Sequence, residues 1–243
     1  MTSRNFIHLF LFLAIFTQPA MAKHLTLLTE DGPPHMIQSS NSGIDIDITV
    51  AVLQQMGHTV EVSYAPLSRA KREVIKGNFD LTVPTFYAQD QNNFYLSKPM
   101  IPYKPTVFTN KPYKLTSLND IKDLQVITFQ GATGYFGDEF EKMADNNNYI
   151  EISNMENLPM LLFKNRTDAV VLDYYIFHYF ASQQNIRFSA DSLFEYSLIP
   201  EVKASVGFHD QKLRDEFNRA YDEFYAQKAI QPILNRYLGN KEH

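Results

Sequence analysis

Arg166-Thr167-Asp168-Ala169-Val170-Val171-Leu172-Asp173 is a short apolar run entered through a polar turn and closed by a carboxylate. Ala169 to Leu172 read as a strand of a parallel sheet. Asp173 then stands at the strand's carboxyl end, where open α/β sheets bind their ligands. A second reading of Asp173 is a cap for a helix from Tyr174 onward. Asp168 reads as a structural turn residue.

Moving toward the N-terminus, strand and helix patterns alternate. Leu158 to Phe163 predicts a helix and Tyr149 to Ile152 a strand. Tyr135 to Ala144 predicts one helix, with Phe136, Phe140, Met143 and Ala144 on one side, and Val126 to Phe129 a strand. The first half repeats the pattern. Leu25 to Leu28, Val60 to Tyr64 and Asp80 to Thr85 read as strands. Ile48 to Met56, stopping at Gly57, and Leu67 to Lys76, stopping at Gly77, read as helices. Two β-α-β series imply two parallel sheets with helices on their faces. The C-terminal stripe Leu213, Phe217, Ala220, Tyr221 and Phe224 marks a helix that Asp210 caps; Ile230, Ile233, Leu234 and Tyr237 mark a second, with Gly239 as its stop. The expected class is α/β, in two lobes. Residues 23–108 and 204–243 form the first and 109–203 the second. The extended stretches around Pro105 to Asn110 and Val202 to Phe208 cross between them, and a ligand sits in the cleft.

The composition narrows the function. An apolar share of 44% with 20% charged residues, over 243 residues, is that of a folded soluble chain. The formal charge of −5 argues against nucleic acid as a partner. With no cysteine there is no disulfide framework, thiolate metal site or cysteine nucleophile. The six histidines beyond the N-terminal segment are scattered, so neither a metal nor a cofactor is expected. Met1 to Ala22 carries one charge, Arg4, an apolar run from Phe6 to Phe16 broken by His8, and Ala20-Met21-Ala22. It reads as a signal peptide cleaved after Ala22, which addresses the chain to the periplasm.

A series of segments resembles the family 3 periplasmic solute-binding proteins, the amino-acid-binding receptors of ABC transporters. They occur in the family's order across nearly all of the chain after Ala22. The Thr29-to-Pro34 turn resembles the entry to the cleft. Gly43-Ile44-Asp45-Ile46-Asp47-Ile48 resembles the opening of the first helix. Gly77-Asn78-Phe79-Asp80-Leu81, Leu96-Ser97-Lys98-Pro99-Met100 and Leu118 to Leu124 follow. Gln130-Gly131-Ala132-Thr133 is similar to the ligand loop, and Arg166 to Asp173 completes the series. The resemblance implies a two-lobed fold of the type II class with two hinge strands. It also implies a monomer that closes on an amino acid or related small polar solute and serves an inner-membrane permease.

The same resemblance suggests site residues. The loop at Ala132 and Thr133 would receive a ligand carboxylate, and Asp173 its ammonium. Free amides at a helix start suit an anion, although Thr133 equally reads as a cap of its own helix. The family's carboxylate-clamping arginine is missing. No arginine lies between Arg72 and Arg166, and the corresponding stretch, Phe86 to Asn93, places Asp90 or Asn92 there. Pro66-Leu67-Ser68-Arg69-Ala70 resembles an orphan-branch motif in which Arg69 would substitute. Arg69 reads equally as a member of a solvated cluster with Lys71 and Arg72. Glu30, Asp31 and His35 stand at the first strand's end as readers of an amine or hydroxyl, or as rim charges. Tyr87, Tyr103, Tyr135 and Tyr174 are candidates to stack on a ligand. The chain contains neither Gly-x-Ser-x-Gly nor His-Glu-x-x-His, and no catalytic residue is assigned. Two other readings remain: an enzyme resembling the periplasmic cyclohexadienyl dehydratases, with Glu30 or Asp90 as the general acid or base, and a sensor for a membrane signalling partner.

Overall fold

The computed structural model describes residues 22–86, 89–100, 102–189 and 191–238. The chain begins with β1 (His24–Thr29), α1 (Ile44–Gln55), β2 (Thr59–Tyr64), α2 (Leu67–Ile75), β3 (Leu81–Thr85) and the short β4 (Tyr95–Leu96). It continues through β5 (Pro102–Tyr103), β6 (Pro105–Thr109), β7 (Val126–Phe129), α3 (Ala132–Phe136), α4 (Asp138–Ala144) and β8 (Tyr149–Ile152). Then come α5 (Leu158–Phe163), β9 (Ala169–Asp173), α6 (Tyr174–Gln183), β10 (Phe194–Tyr196), β11 (Val202–Lys203), β12 (Ser205–Phe208), α7 (Gln211–Ala226) and α8 (Ile230–Leu238).

Two five-stranded sheets organise these elements, in the orders β2-β1-β3-β12-β4 and β10-β6-β9-β7-β8. Parallel pairing joins β1 to β2 and β3, and β7 to β8 and β9. The returning strands β12 and β6 run antiparallel to their neighbours. Between the sheets, β5 and β11 pair antiparallel through Val202–Tyr103 and Lys203–Pro102, so the chain crosses twice at one place. β6 belongs wholly to the second sheet, which puts the first crossing at 102–105 rather than after residue 108.

The strand read first is buried along its whole length. Ala169 and Val171 enter one apolar cluster with Val126, Phe140 and Met143. Val170 and Leu172 enter another, with Phe108, Leu158 and Phe177, on the opposite face. That is the period of two of a strand covered on both sides. In the first lobe, α1, α7 and α8 cover the sheet through Ile48, Val52, Phe217, Tyr221 and Leu234.

Three local readings change. α1 begins four residues early, at Ile44, because Ile44, Asp45 and Ile46 are all buried and continue the helix toward the crossing. The helix expected over 135–144 is two. Gly137, at φ 87°, ends α3 and starts α4, a conformation that an L-residue adopts only with strain. Asp210 caps α7 as expected, accepting from the Lys212 and Leu213 amides. The signal-peptide reading through Met21, and Gly239, lie outside the described residues. No described helix is long and apolar enough to cross a membrane.

Candidate functional site

The carboxyl ends of four parallel strands, two from each sheet, open onto one cavity of about 410 Å³. β1 leads into Glu30 and Asp31, β3 into Phe86, β7 ends on Phe129 and β9 on Asp173, and all five residues line it. This is where the topology of an open α/β sheet places a ligand.

Six phenylalanine and tyrosine rings line it. Phe86 meets Tyr103 edge-on at 5.1 Å and Tyr135 at 6.4 Å, so rings from the two lobes touch across the opening. Tyr135 continues to Phe129 at 5.8 Å and Phe136 at 5.2 Å. Phe86 and Tyr135 are 39% and 42% exposed, unusual for large rings and consistent with a surface that waits for an apolar partner. Burial pushes the Tyr135 hydroxyl up to about 12, and Asp173 and Asp45 add to the rise.

The floor is a closed ionic cluster. His35 is 1% exposed, and its ring stacks on Tyr103 at 3.9 Å. Nδ1 faces Asp45 Oδ1 at 3.1 Å, and Nε2 faces Asp173 Oδ1 at 3.4 Å. The Tyr103 hydroxyl donates to the other Asp45 oxygen at 2.8 Å. Burial acts to lower the pKa of His35, but the charges and hydrogen bonds of Asp45 and Asp173 outweigh it, and the net result is a rise to about 9. His35 is therefore an imidazolium at neutral pH, bridging one carboxylate of each lobe.

Asp173 stands at the cavity and at the start of a helix. It lines the cavity, and it caps α6 by accepting from the Tyr175 and Ile176 amides. Its second oxygen accepts from the Lys104 amide at 2.6 Å. With His35 added, four donors converge on this one carboxylate.

The loop before α3 is equally engaged. Glu151 on β8 accepts from the Gly131 amide at 2.7 Å, the Thr133 amide at 3.1 Å and the Thr133 hydroxyl at 3.2 Å. The Tyr149 hydroxyl donates to it as well, at 2.7 Å. These bonds, the Gly131 amide foremost, hold Glu151 below the usual carboxylate range. The chain's own carboxylate sits where a ligand's carboxylate was expected.

Glu30 lines the cavity and is half-buried. Burial raises its pKa, and the Leu67 amide, 3.4 Å away, offsets part of the rise. Arg69 is placed differently. Ala70 and Val74 form the buried stripe of α2, which turns Arg69 to solvent; Leu67 is the residue of α2 that reaches the cavity. Ala132 is packed into the core of the second lobe, and neither it nor Thr133 lines the cavity. Asp90 pairs with Arg214 on α7 and accepts from the Leu96 amide, away from the lining. Tyr87 lies outside the described residues. Among the described residues, no three His, Asp or Glu side chains converge as metal ligands would.

Sequence reading left His35 as either a reader of an amine or hydroxyl or a rim charge, and missed Glu151. The trace of Glu151 is a lone carboxylate within the strand Tyr149–Ile152. Its meaning appears only when β8 lies beside β7 in a register that pairs Thr128 with Glu151, next to the Gly131 turn.

Comparison with known proteins agrees with this architecture. The profile of bacterial extracellular solute-binding proteins, family 3, matches residues 25–240. Among solved structures, the L-cystine solute receptor of Neisseria gonorrhoeae, in an unliganded open conformation, superposes with a TM-score of 0.68 at 16% identity. That match covers 89% of this chain and 93% of the receptor. A polar amino acid ABC uptake transporter substrate-binding protein from Streptococcus thermophilus gives a TM-score of 0.70 at 18% identity, over 89% and 86% of the two chains. An ancestral cationic amino acid solute-binding protein gives 0.70 at 17%, over 88% and 95%. No curated protein sequence matches the chain.

Proposed function

From the premise that the chain belongs to the family 3 bacterial extracellular solute-binding proteins, we propose that it captures an amino acid or related small molecule in the cavity between its lobes. Capture is reversible and non-covalent, by closure of the lobes about the β5–β11 crossing. Export by the Met1 to Ala22 segment and delivery to an inner-membrane permease complete the reading, with the chain acting as a monomer. Solute binding is the family's described role, and no residue of the cavity is assigned a catalytic one.

One observation carries the reading: Glu30, Phe86, Phe129 and Asp173, at the ends of four parallel strands from two sheets, share one cavity. A volume of about 410 Å³ suits a small ligand. Glu30 and Asp173 are the anticipated contacts that this cavity supports.

A thermal-shift screen of amino acids, polyamines, organic acids and peptidoglycan fragments tests it. A solute at a hundred times its Kd stabilises by about 2.7 kcal/mol, a readily measured rise in Tm. Asp173→Ala should weaken any hit, and Arg69→Ala should leave it unchanged. Failure of every compound to raise Tm would sink the proposal.

A further inference from the structure

Solute capture in this cavity leaves open which chemistry the cavity prefers, and its charges are one-sided. Among the described lining residues there is no lysine or arginine. The imidazole among the described lining residues, His35, is 1% exposed and already faces two carboxylates. Lys104 directs its ammonium over the rings of Tyr174 and Tyr175 instead, 5.9 Å from each. The Gly131 and Thr133 amides, and the Thr133 hydroxyl, are given to Glu151. A carboxylate entering here would lose its water and meet no lysine or arginine among the described lining residues.

The opposite sign is available. Glu30 and Asp31 stand together at the end of β1, and both line the cavity. Among the described residues, Glu30 receives one long bond, at 3.4 Å from the Leu67 amide, and Asp31 one, from the Gln38 amide at 2.8 Å. Each carboxylate keeps an oxygen for a further donor. The same cavity is lined by the rings of Phe86, Tyr103, Phe129, Tyr135, Phe136 and Phe180. Rings recruit both apolar bodies and organic cations, through contact area and through the negative face of the π system.

Resting on the capture reading above, we propose that the cavity selects apolar amines: an aryl or branched-alkyl body against the rings, a protonated nitrogen at Glu30 and Asp31, and no carboxylate. The raised pKa of Glu30 fits this pairing, since an arriving ammonium relieves the cost of burying its charge. A free α-amino acid has an ammonium to offer the same carboxylates. Its carboxylate finds the amides beside Gly131 already taken.

Isothermal titration of the purified protein with four probes of one skeleton tests the proposal: 2-phenylethylamine, 2-phenylethanol, L-phenylalanine and 3-phenylpropanoate. The amine is expected to bind at least tenfold tighter than the alcohol, and at least a hundredfold tighter than either carboxylate. In the double variant Glu30→Gln, Asp31→Asn, with the fold checked by circular dichroism, the amine-to-alcohol ratio should collapse toward one. L-Phenylalanine or 3-phenylpropanoate binding as tightly as the amine would overturn the proposal, as would a ratio that survives the double variant. If none of the four binds, the broader thermal-shift screen separates the two failures. A hit of another class leaves solute capture standing and removes the amine preference; no hit removes both.

Discussion

His35 makes stability depend on pH in a way that can be calculated and isolated. In the folded chain it faces Asp45 from α1 and Asp173 from the β9–α6 junction, with Tyr103 stacked beneath and Tyr175 edge-on at 5.8 Å. Its pKa rises from 6.5 to about 9. Burial opposes that rise, and the two carboxylates drive it. A folded-state pKa above the unfolded one gives stability that is complete below pH 6.5 and disappears as pH climbs through about 9. The full contribution is ~3 kcal/mol, with a steepest slope near 1.4 kcal/mol per pH unit.

The assay is urea unfolding at pH 6, 7.5 and 9. It is followed by far-ultraviolet circular dichroism, because the chain has no tryptophan to report by fluorescence. His35→Gln removes the titrating group and leaves two carboxylates facing each other. It should cost ~3–5 kcal/mol at pH 6, the range for breaking a buried ionic contact by removing one partner. The difference between wild type and variant should then shrink steadily toward pH 9. His58, whose pKa is lowered by burial and by Lys23, titrates in both proteins and cancels in that difference. A wild-type-minus-variant difference that stays constant from pH 6 to 9 would refute a buried imidazolium at His35.

Other residues give independent checks. Glu151→Ala removes the acceptor of the Gly131 and Thr133 amides and should lower the urea midpoint by the equivalent of ~1 kcal/mol at neutral pH, since water reaches the Gly131 amide. Because the Glu151 pKa is depressed, that loss should fade as pH falls below the ordinary carboxylate range. Gly43→Ala forces a Cβ to within 2.3 Å of the His35 carbonyl oxygen at φ +142°. It should cost ~3 kcal/mol or more in chemical denaturation. Phe217→Ala removes the α7 ring that packs on Phe208 of β12 at 5.1 Å, beside Tyr221 of the same helix at 6.4 Å, and should cost ~4 kcal/mol, read as a fall in Tm.

These perturbations differ in how far the sequence announces them. Phe217 is announced by its own neighbours, since the Leu213 to Phe224 stripe fits one helical face and that face is buried. The strands Val126–Phe129, Tyr149–Ile152 and Ala169–Asp173 are legible for the same reason, being apolar runs of strand length between turns. Asp173 at the end of its strand follows from topology, because carboxyl ends of parallel strands face the cleft. What the cleft does with Asp173 is not local. His35 lies 138 positions away, and no pattern within either segment joins them. Glu151 and Thr133 are closer in sequence, yet their pairing depends on two strands adopting one register. A motif shows which backbone amides a loop presents; only the assembled sheet shows whether a side chain has already claimed them. Missing arginines between Arg72 and Arg166 therefore have a structural counterpart. Among the described residues no lysine or arginine lines the cavity, and the Gly131 and Thr133 amides are bound to Glu151, which is why the proposal places a solute's charge at Glu30 and Asp31.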